Sequence, residues 1–262
     1  MSQKQTAVKD VFLFFVNWAP NPDKMEERVT IDVIILSYAQ TEALKQMTIN
    51  CLNSLAESGG KHIYFKTIVI ESEKAIAPYQ YPHSKTIYPD QPFGYHRYMN
   101  IGIKMGTAEY VCICNNDLIF HKEWATEILK PFTQFSDVSS ASPICSINHP
   151  AEGFKVNDGI KIGYRIRKEL AGWCIFFKRD ILKLTGMLDE NYIFWCADND
   201  YANTLWTLKL NHVLVTSAIV DHLENKTLHS QTPERQLELT EQECIYYDKK
   251  WKHRDKENWI AM

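Results

Sequence analysis

The run Tyr110-Val-Cys-Ile-Cys114, followed at once by Asn115-Asn116-Asp117, constrains this chain more than any other stretch. Five apolar or nearly apolar residues, β-branched at Val111 and Ile113, read as a buried strand. Three short polar side chains cannot follow it into a core, so they fall at the strand's carboxyl end, facing a crevice. In open α/β sheets that is where ligands sit. A carboxylate with two amides there makes a hard-oxygen cluster suited to Mg2+ or Mn2+ holding a diphosphate. The same residues also suit a turn that only reverses the chain. From the residues alone the two readings stand side by side.

The flanking pattern predicts alternating strands and helices. Val29–Ser37 is apolar enough for a central parallel strand. Leu44, Met47, Cys51, Leu52 and Leu55 mark one helix face, stopped by Gly59-Gly60. Phe65–Glu71 is a second strand ending in a carboxylate, which makes a β-α-β unit with a right-handed crossover. Residues 74–92, with Pro78, Pro82, Pro89 and Pro92, read as a loop with one short strand. Gly94–Met105 reads as a helix feeding the Tyr110–Cys114 strand. Beyond Asp117 the spacing predicts a helix over 123–132, a short strand over 139–143 and a glycine-bearing mobile loop or hairpin over 146–168. A strand over 170–177, a short helix over 179–185, a helix over 198–208 and a strand over 212–220 follow. Residues 231–259 read as a helical and then basic tail.

With 262 residues and no linker, one domain is expected. Its parts would be a nucleotide-sugar half (about 29–120), an acceptor and catalytic half (about 121–225) and the tail (226–262). A net charge of −3 gives no global electrostatic case for nucleic acid or an anionic membrane. Seven cysteines without a CxxC pair predict free, buried thiols in a reducing compartment. The early apolar run, Val11–Val16, is a candidate strand. It is far below the roughly 20 residues needed to span a bilayer, and no small-residue cleavage site follows. A soluble, cytoplasmic protein is the expectation.

From about Val29 to about Asn225 the chain resembles the family 2 glycosyltransferases of GT-A fold. Five pieces carry the resemblance, in the family's order. Ile31–Ser37 looks like the first strand, with Cys51-Leu-Asn-Ser-Leu55 at the end of its helix. Thr67–Glu71 is similar to the second strand, whose terminal acid lies near the nucleotide base. Gly94, Asn100 and Gly102 match a Gly-x-x-x-x-x-Asn-x-Gly segment. Asn115-Asn116-Asp117 stands where the family has Asp-x-Asp. Leu188–Tyr201 resembles the Phe-Asp-Glu…Glu-Asp-x-Asp segment.

The resemblance implies an α/β GT-A fold, with a Rossmann-like, mostly parallel central sheet flanked by helices and a C-terminal acceptor-side portion. It implies a metal-dependent, inverting transfer of a single sugar from a nucleotide sugar, UDP-linked, to a hydroxyl. The Gln-x-x-Arg-Trp motif of processive members is absent. Mn2+ or Mg2+ would be held by Asp117 and His222. Asp198 aligns with the general base, although Ala197 replaces the Glu beside it and Asn115 replaces the first acid of Asp-x-Asp. Nucleotide-sugar contacts fall on Ser37, Tyr38, Glu71, Gly94, Arg97, Asn100, Asn115 and Asn116. Acceptor contacts fall on Trp173, Trp195 and Asp200, with Asp200 also suited to a structural role and Asp189 and Glu190 ordering the acceptor loop.

Plainer roles stand beside these. His222 also suits a surface histidine, Asp198 a helix N-cap, and Glu71 a solvated strand end. Arg97 suits a solvated helix face, and the tryptophans suit core filling. The acceptor is a saccharide or lipid-linked sugar, or a hydroxymethylated DNA base. The last is suggested by Lys249, Lys250, Lys252, Arg254 and Lys256 interleaved with Tyr246, Tyr247 and Trp251, and is opposed by Asp248, Asp255 and Glu257. Two other functions compete. A sugar nucleotidyltransferase would need a glycine-rich phosphate loop after the first strand, which Ser37–Glu42 lacks. A non-catalytic sugar-binding protein would fit Ala197 and Asn115.

Overall fold

A computed structural model describes residues 28–223 and 233–252. The candidate strand Val11–Val16, Asn225, and the tail's Arg254 and Lys256 lie outside these. The elements, in chain order, are β1 (Val29–Ser37), α1 (Glu42–Ser58), β2 (Ile63–Glu71), β3 (Lys85–Ile87), α2 (Tyr95–Met105), β4 (Tyr110–Cys114), β5 (Leu118–Phe120) and α3 (Trp124–Gln134). They continue with β6 (Val138–Ile144), β7 (Ile160–Ile162), β8 (Cys174–Lys178), α4 (Leu182–Thr185), α5 (Ala197–Thr207), β9 (Asn211–His222) and α6 (Pro233–Trp251).

Nine strands form one sheet in the order β3-β2-β1-β4-β8-β6-β9-β5, with β7 also on β9. The first four run parallel. β8 turns the sheet, antiparallel to both β4 and β6, and β6 and β9 are again parallel. Parallel ladders thus carry most of the paired residues, as the hydrophobic runs imply.

Alternation along β1 explains the layering. Ile31, Val33 and Ile35 point to the face covered by α1 and α3, while Ile34 points to the face covered by α2 and α5. All four are fully buried, each worth roughly 1.5–3 kcal/mol relative to exposure. Helix α1 starts where the Thr41 side chain accepts the Leu44 N–H. Its inner face includes Leu44, Thr48, Cys51, Leu52 and Leu55, with Thr48 rather than Met47 in the buried row. On the other face, a Cβ at Gly102 would lie 2.4 Å from an Ile34 methyl, so α2 approaches β1 more closely than a larger residue allows.

This topology gathers one edge. β1, β2, β4 and β9 all end on it, and antiparallel β8 begins on it. Ser37, Glu71, Asn115, Trp173 and His222 therefore line up along the same rim. β9 reaches that far because its register against β6 shifts between Val215 and Ile219, after which it pairs with β5, opposing Leu118 to His222. Three-residue β5 escapes the sequence pattern because so short a run shows no periodicity. Residues 146–168 likewise hold a short strand, β7, paired with β9. All seven cysteines are free, and every one except Cys244 is buried. Among the described residues, no helix is long and apolar enough to cross a membrane.

Candidate active site

Asp117 follows β4 by three residues, and His222 is the last residue of β9. The β5–β9 pairing brings them together, with His222 Nε2 3.3 Å from Asp117 Oδ1. Asp117 is buried, and that oxygen has no partner in hydrogen-bonding geometry despite the nearby imidazole. An orphaned, buried carboxylate oxygen beside a ring nitrogen is costly unless a ligand completes it.

The surroundings hold both groups in place. The Trp173 ring stacks on His222 at 5.3 Å and 17°. The Asp117 carbonyl accepts the Leu223 N–H. Asn148 Nδ2 donates to the His222 carbonyl. Asp221, the residue before, accepts from Ser146 and pairs with His121 at 2.7 Å. Burial would raise its carboxyl, but those partners outweigh it and keep the group ionised.

Gly172 and Trp173 connect this pair to the candidate base. While the Trp173 ring covers His222, Gly172 backs onto Asp198, where an added Cβ would lie 2.5 Å from Oδ2. Asp198 stands in the first turn of α5 and takes backbone N–H groups, its own and that of Asn199. Burial pushes its carboxyl pKa up. The residue itself is half-buried; its carboxyl is tucked against the Gly172 backbone, which is why desolvation governs it. The buried Tyr95 hydroxyl has no partner, and burial, then Cys114 and Asp198, push its pKa up. The Tyr95 phenol and the Asp198 carboxyl are thus close enough to interact, and Gly172-Trp173 links Asp198 to the Asp117–His222 pair.

Several residues expected to touch the donor do other work here. Glu71 is no solvated strand end: it is fully buried, accepting the Ala39 and Glu73 N–H groups and the Tyr81 hydroxyl. Ser37 is buried against Thr48 and Tyr81. Asn100 is saturated by the Leu188 backbone and Glu190. Arg97 bonds Glu190 and the Pro92 carbonyl rather than standing free. Gly94 opens α2. Asn116 donates to Thr48. Of the donor-side set, Tyr38, Arg97 and Asn115 keep partial exposure, and the Asn115 N–H is bonded to the Trp173 carbonyl.

On the acceptor side, Asp200 is not open to a substrate. It is buried and bonded to Trp251 Nε1 and Lys250. Lys250 also bonds Asp189, so it is not one of the free cations of a nucleic-acid patch. Burial would raise the Asp189 carboxyl, but Lys250 and Asn191 outweigh it and hold it at about 2. Glu190 orders the same loop through Arg97 and Asn100. Trp195 is half-buried, its Nε1 buried without a partner. Sequence reasoning missed Thr48, Tyr95 and Gly172. Only Gly172 carried a signal, since a glycine in a strand pattern marks close backbone approach.

Residues 32–180 match the sequence profile described as glycosyl transferase family 2. The chain belongs to glycosyl transferase family 2. That membership sets aside the sugar nucleotidyltransferase. The match ends before Asp198 and His222, so their roles rest on where the fold places them. A crystal structure of GalNAc-T7 with UDP, GalNAc and Mn2+ has a TM-score of 0.60 to this chain at 9% identity, covering 74% of this chain and 43% of that one. At that identity the likeness is one of fold, and this family 2 chain spans less than half of the GalNAc-T7 chain. No curated protein matches the sequence.

Proposed function

We propose that the protein transfers one sugar, with inversion, from a UDP-sugar to a hydroxyl of a saccharide acceptor. The observation that carries this reading is the orphaned Asp117 Oδ1 facing His222 on the rim where the parallel strands end. Carboxylate oxygen and imidazole nitrogen suit Mn2+ or Mg2+. Among the described residues no third His, Cys, Asp or Glu joins them, which fits an ion completed by substrate phosphates and water. Bound there, a divalent ion supplies Lewis-acid neutralisation of the leaving diphosphate.

The chain's own groups do the rest. Asp198 takes the acceptor hydroxyl proton. The acceptor oxygen forms the new bond to the anomeric carbon, and the diphosphate departs with the electron pair of the old one. One base on one face implies a single in-line displacement. Trp173 keeps the imidazole ring in plane, and Tyr95 offers its buried hydroxyl to whatever oxygen enters beside Asp198. With Lys250 engaged inside the fold, a saccharide fits the acceptor side better than DNA.

The test is a screen of nucleotide sugars with Mn2+, reading slow donor hydrolysis. Hydrolysis of a UDP-sugar that disappears on chelation is expected. Metal-independent hydrolysis, or none with any donor and no UDP binding, would overturn the reading.

A further inference from the structure

Helix α6 lies outside the part of the chain that matches the family, yet it grips the segment leading to Asp198. Glu243, on α6, is 4% exposed. Its carboxylate accepts the Phe194 N–H at 3.1 and 3.0 Å and the Trp195 N–H at 2.8 Å. The next residue, Cys196, has φ 56°, a left-handed conformation disfavoured for a side chain with a Cβ. Directly after it α5 begins without any side-chain N-cap bond, and Asp198 is its second residue. The strained entry follows directly on the N–H groups that the α6 carboxylate holds. Burial pushes the Glu243 pKa up while the Phe194, Trp195 and Ile193 N–H groups pull it down, as expected of a carboxylate kept in the fold for its hydrogen bonds.

We propose that Glu243 is a positioning residue, fixing the Phe194–Cys196 turn and thereby setting where the Asp198 carboxyl stands against Gly172. This rests on the reading of Asp198 as the base. Lys250, bonded to Asp189 and Asp200 from the same helix, holds α6 in its last turn. A carboxylate spanning two N–H groups cannot be replaced by an amide without turning an NH2 toward a donor. Glu243→Gln therefore loosens the turn, and Glu243→Asp keeps the charge on a shorter arm.

The experiment uses the full chain and three readouts: chymotrypsin cleavage at Phe194 and Trp195, UDP affinity with Mn2+ by calorimetry, and hydrolysis of the UDP-sugar found by the screen. Glu243→Gln is expected to speed cleavage at the turn and lower kcat by about 10- to 100-fold, as small displacements of a reacting group do. Donor KM and UDP affinity stay as in wild type, and Glu243→Asp recovers part of the lost kcat. Unchanged cleavage and unchanged kcat would overturn the proposal. So would a parallel loss of kcat, UDP affinity and Tm in both variants, which would make Glu243 a general support of the fold. If wild type hydrolyses no donor, the proposed function fails by that result, while the cleavage pattern still decides whether Glu243 holds the turn.

Discussion

Glu71 ends β2 and Asp117 lies just beyond β4, on the same rim of the same sheet, yet their carboxylates are in opposite circumstances. Glu71 is saturated by two N–H groups and a phenol. Asp117 keeps a buried oxygen without a partner beside an imidazole. The contrast recurs on α5, where Asp198 takes only local backbone N–H groups and Asp200 is tied to α6 through Trp251 and Lys250. A buried polar group with spare capacity costs the fold stability; on the rim a ligand accounts for it, whereas the equally orphaned Asp32 Oδ1 sits near the start of β1, beside a carboxylate oxygen held by Arg179. A saturated one is explained by the scaffold. Position in a motif does not distinguish the two; bonding, taken with place on the rim, does.

The strongest attempt to break this division is Asp198→Asn. It keeps size and removes the proton acceptor, so turnover should fall by about 10²–10⁴-fold while UDP affinity holds. A stability measurement sharpens it. Burial raises this carboxyl, so ionisation penalises the fold as pH rises through the unfolded value of about 3.9. Asp198→Asn should therefore match wild type in Tm at pH 3 and exceed it at pH 7. A lower Tm at pH 7 would place Asp198 with the scaffold.

Asn100→Ala is the opposite test. Leaving the Leu188 backbone groups buried and unpaired should cost about 1–3 kcal/mol, seen as a Tm lower by several degrees, with UDP affinity unchanged. A loss of UDP affinity without loss of Tm would return Asn100 to the donor site.

How much of this could be read in the sequence follows from range. β1, α1, β2, α2, β4 and α5 were legible because apolar periodicity is local, and the rim followed from parallel strands ending in polar residues. The bonding of Asn100 is not legible in the sequence because its partner, Leu188, is 88 residues away and no spacing rule shows it. Thr48 reads as a polar helix residue, although it is fully buried and bonded to Ser37 and Asn116. Asp117 and His222 could each be suspected alone. Their meeting depends on β5, too short to leave a pattern.

The smallest expected effect concerns Asp189→Asn, which takes the charge from the Lys250–Asp189 pair and leaves the lysine on the buried Asp200. The lysine holds the Asp189 carboxyl at about 2, below its ordinary value, so the associated stability is present above about pH 4 and lost as pH falls toward 2. The pair is partly exposed, and pairs of that kind are worth about 0–1 kcal/mol. A small Tm deficit at pH 7 that shrinks toward pH 2 is expected. A deficit constant across that range would mean that the hydrogen bonds Asp189 takes from Asn191 and Tyr246, not its charge, join α6 to the loop.

Calorimetric titration of UDP into wild type, Asp117→Asn and His222→Ala, with and without Mn2+, tests the central claim most directly. If these two side chains hold the ion that carries the donor diphosphate, wild type binds UDP tightly only with Mn2+. Each variant then loses about 10- to 100-fold of that metal-dependent affinity while keeping the wild-type Tm. Equal UDP affinity in all three proteins, unaffected by Mn2+, would contradict the account.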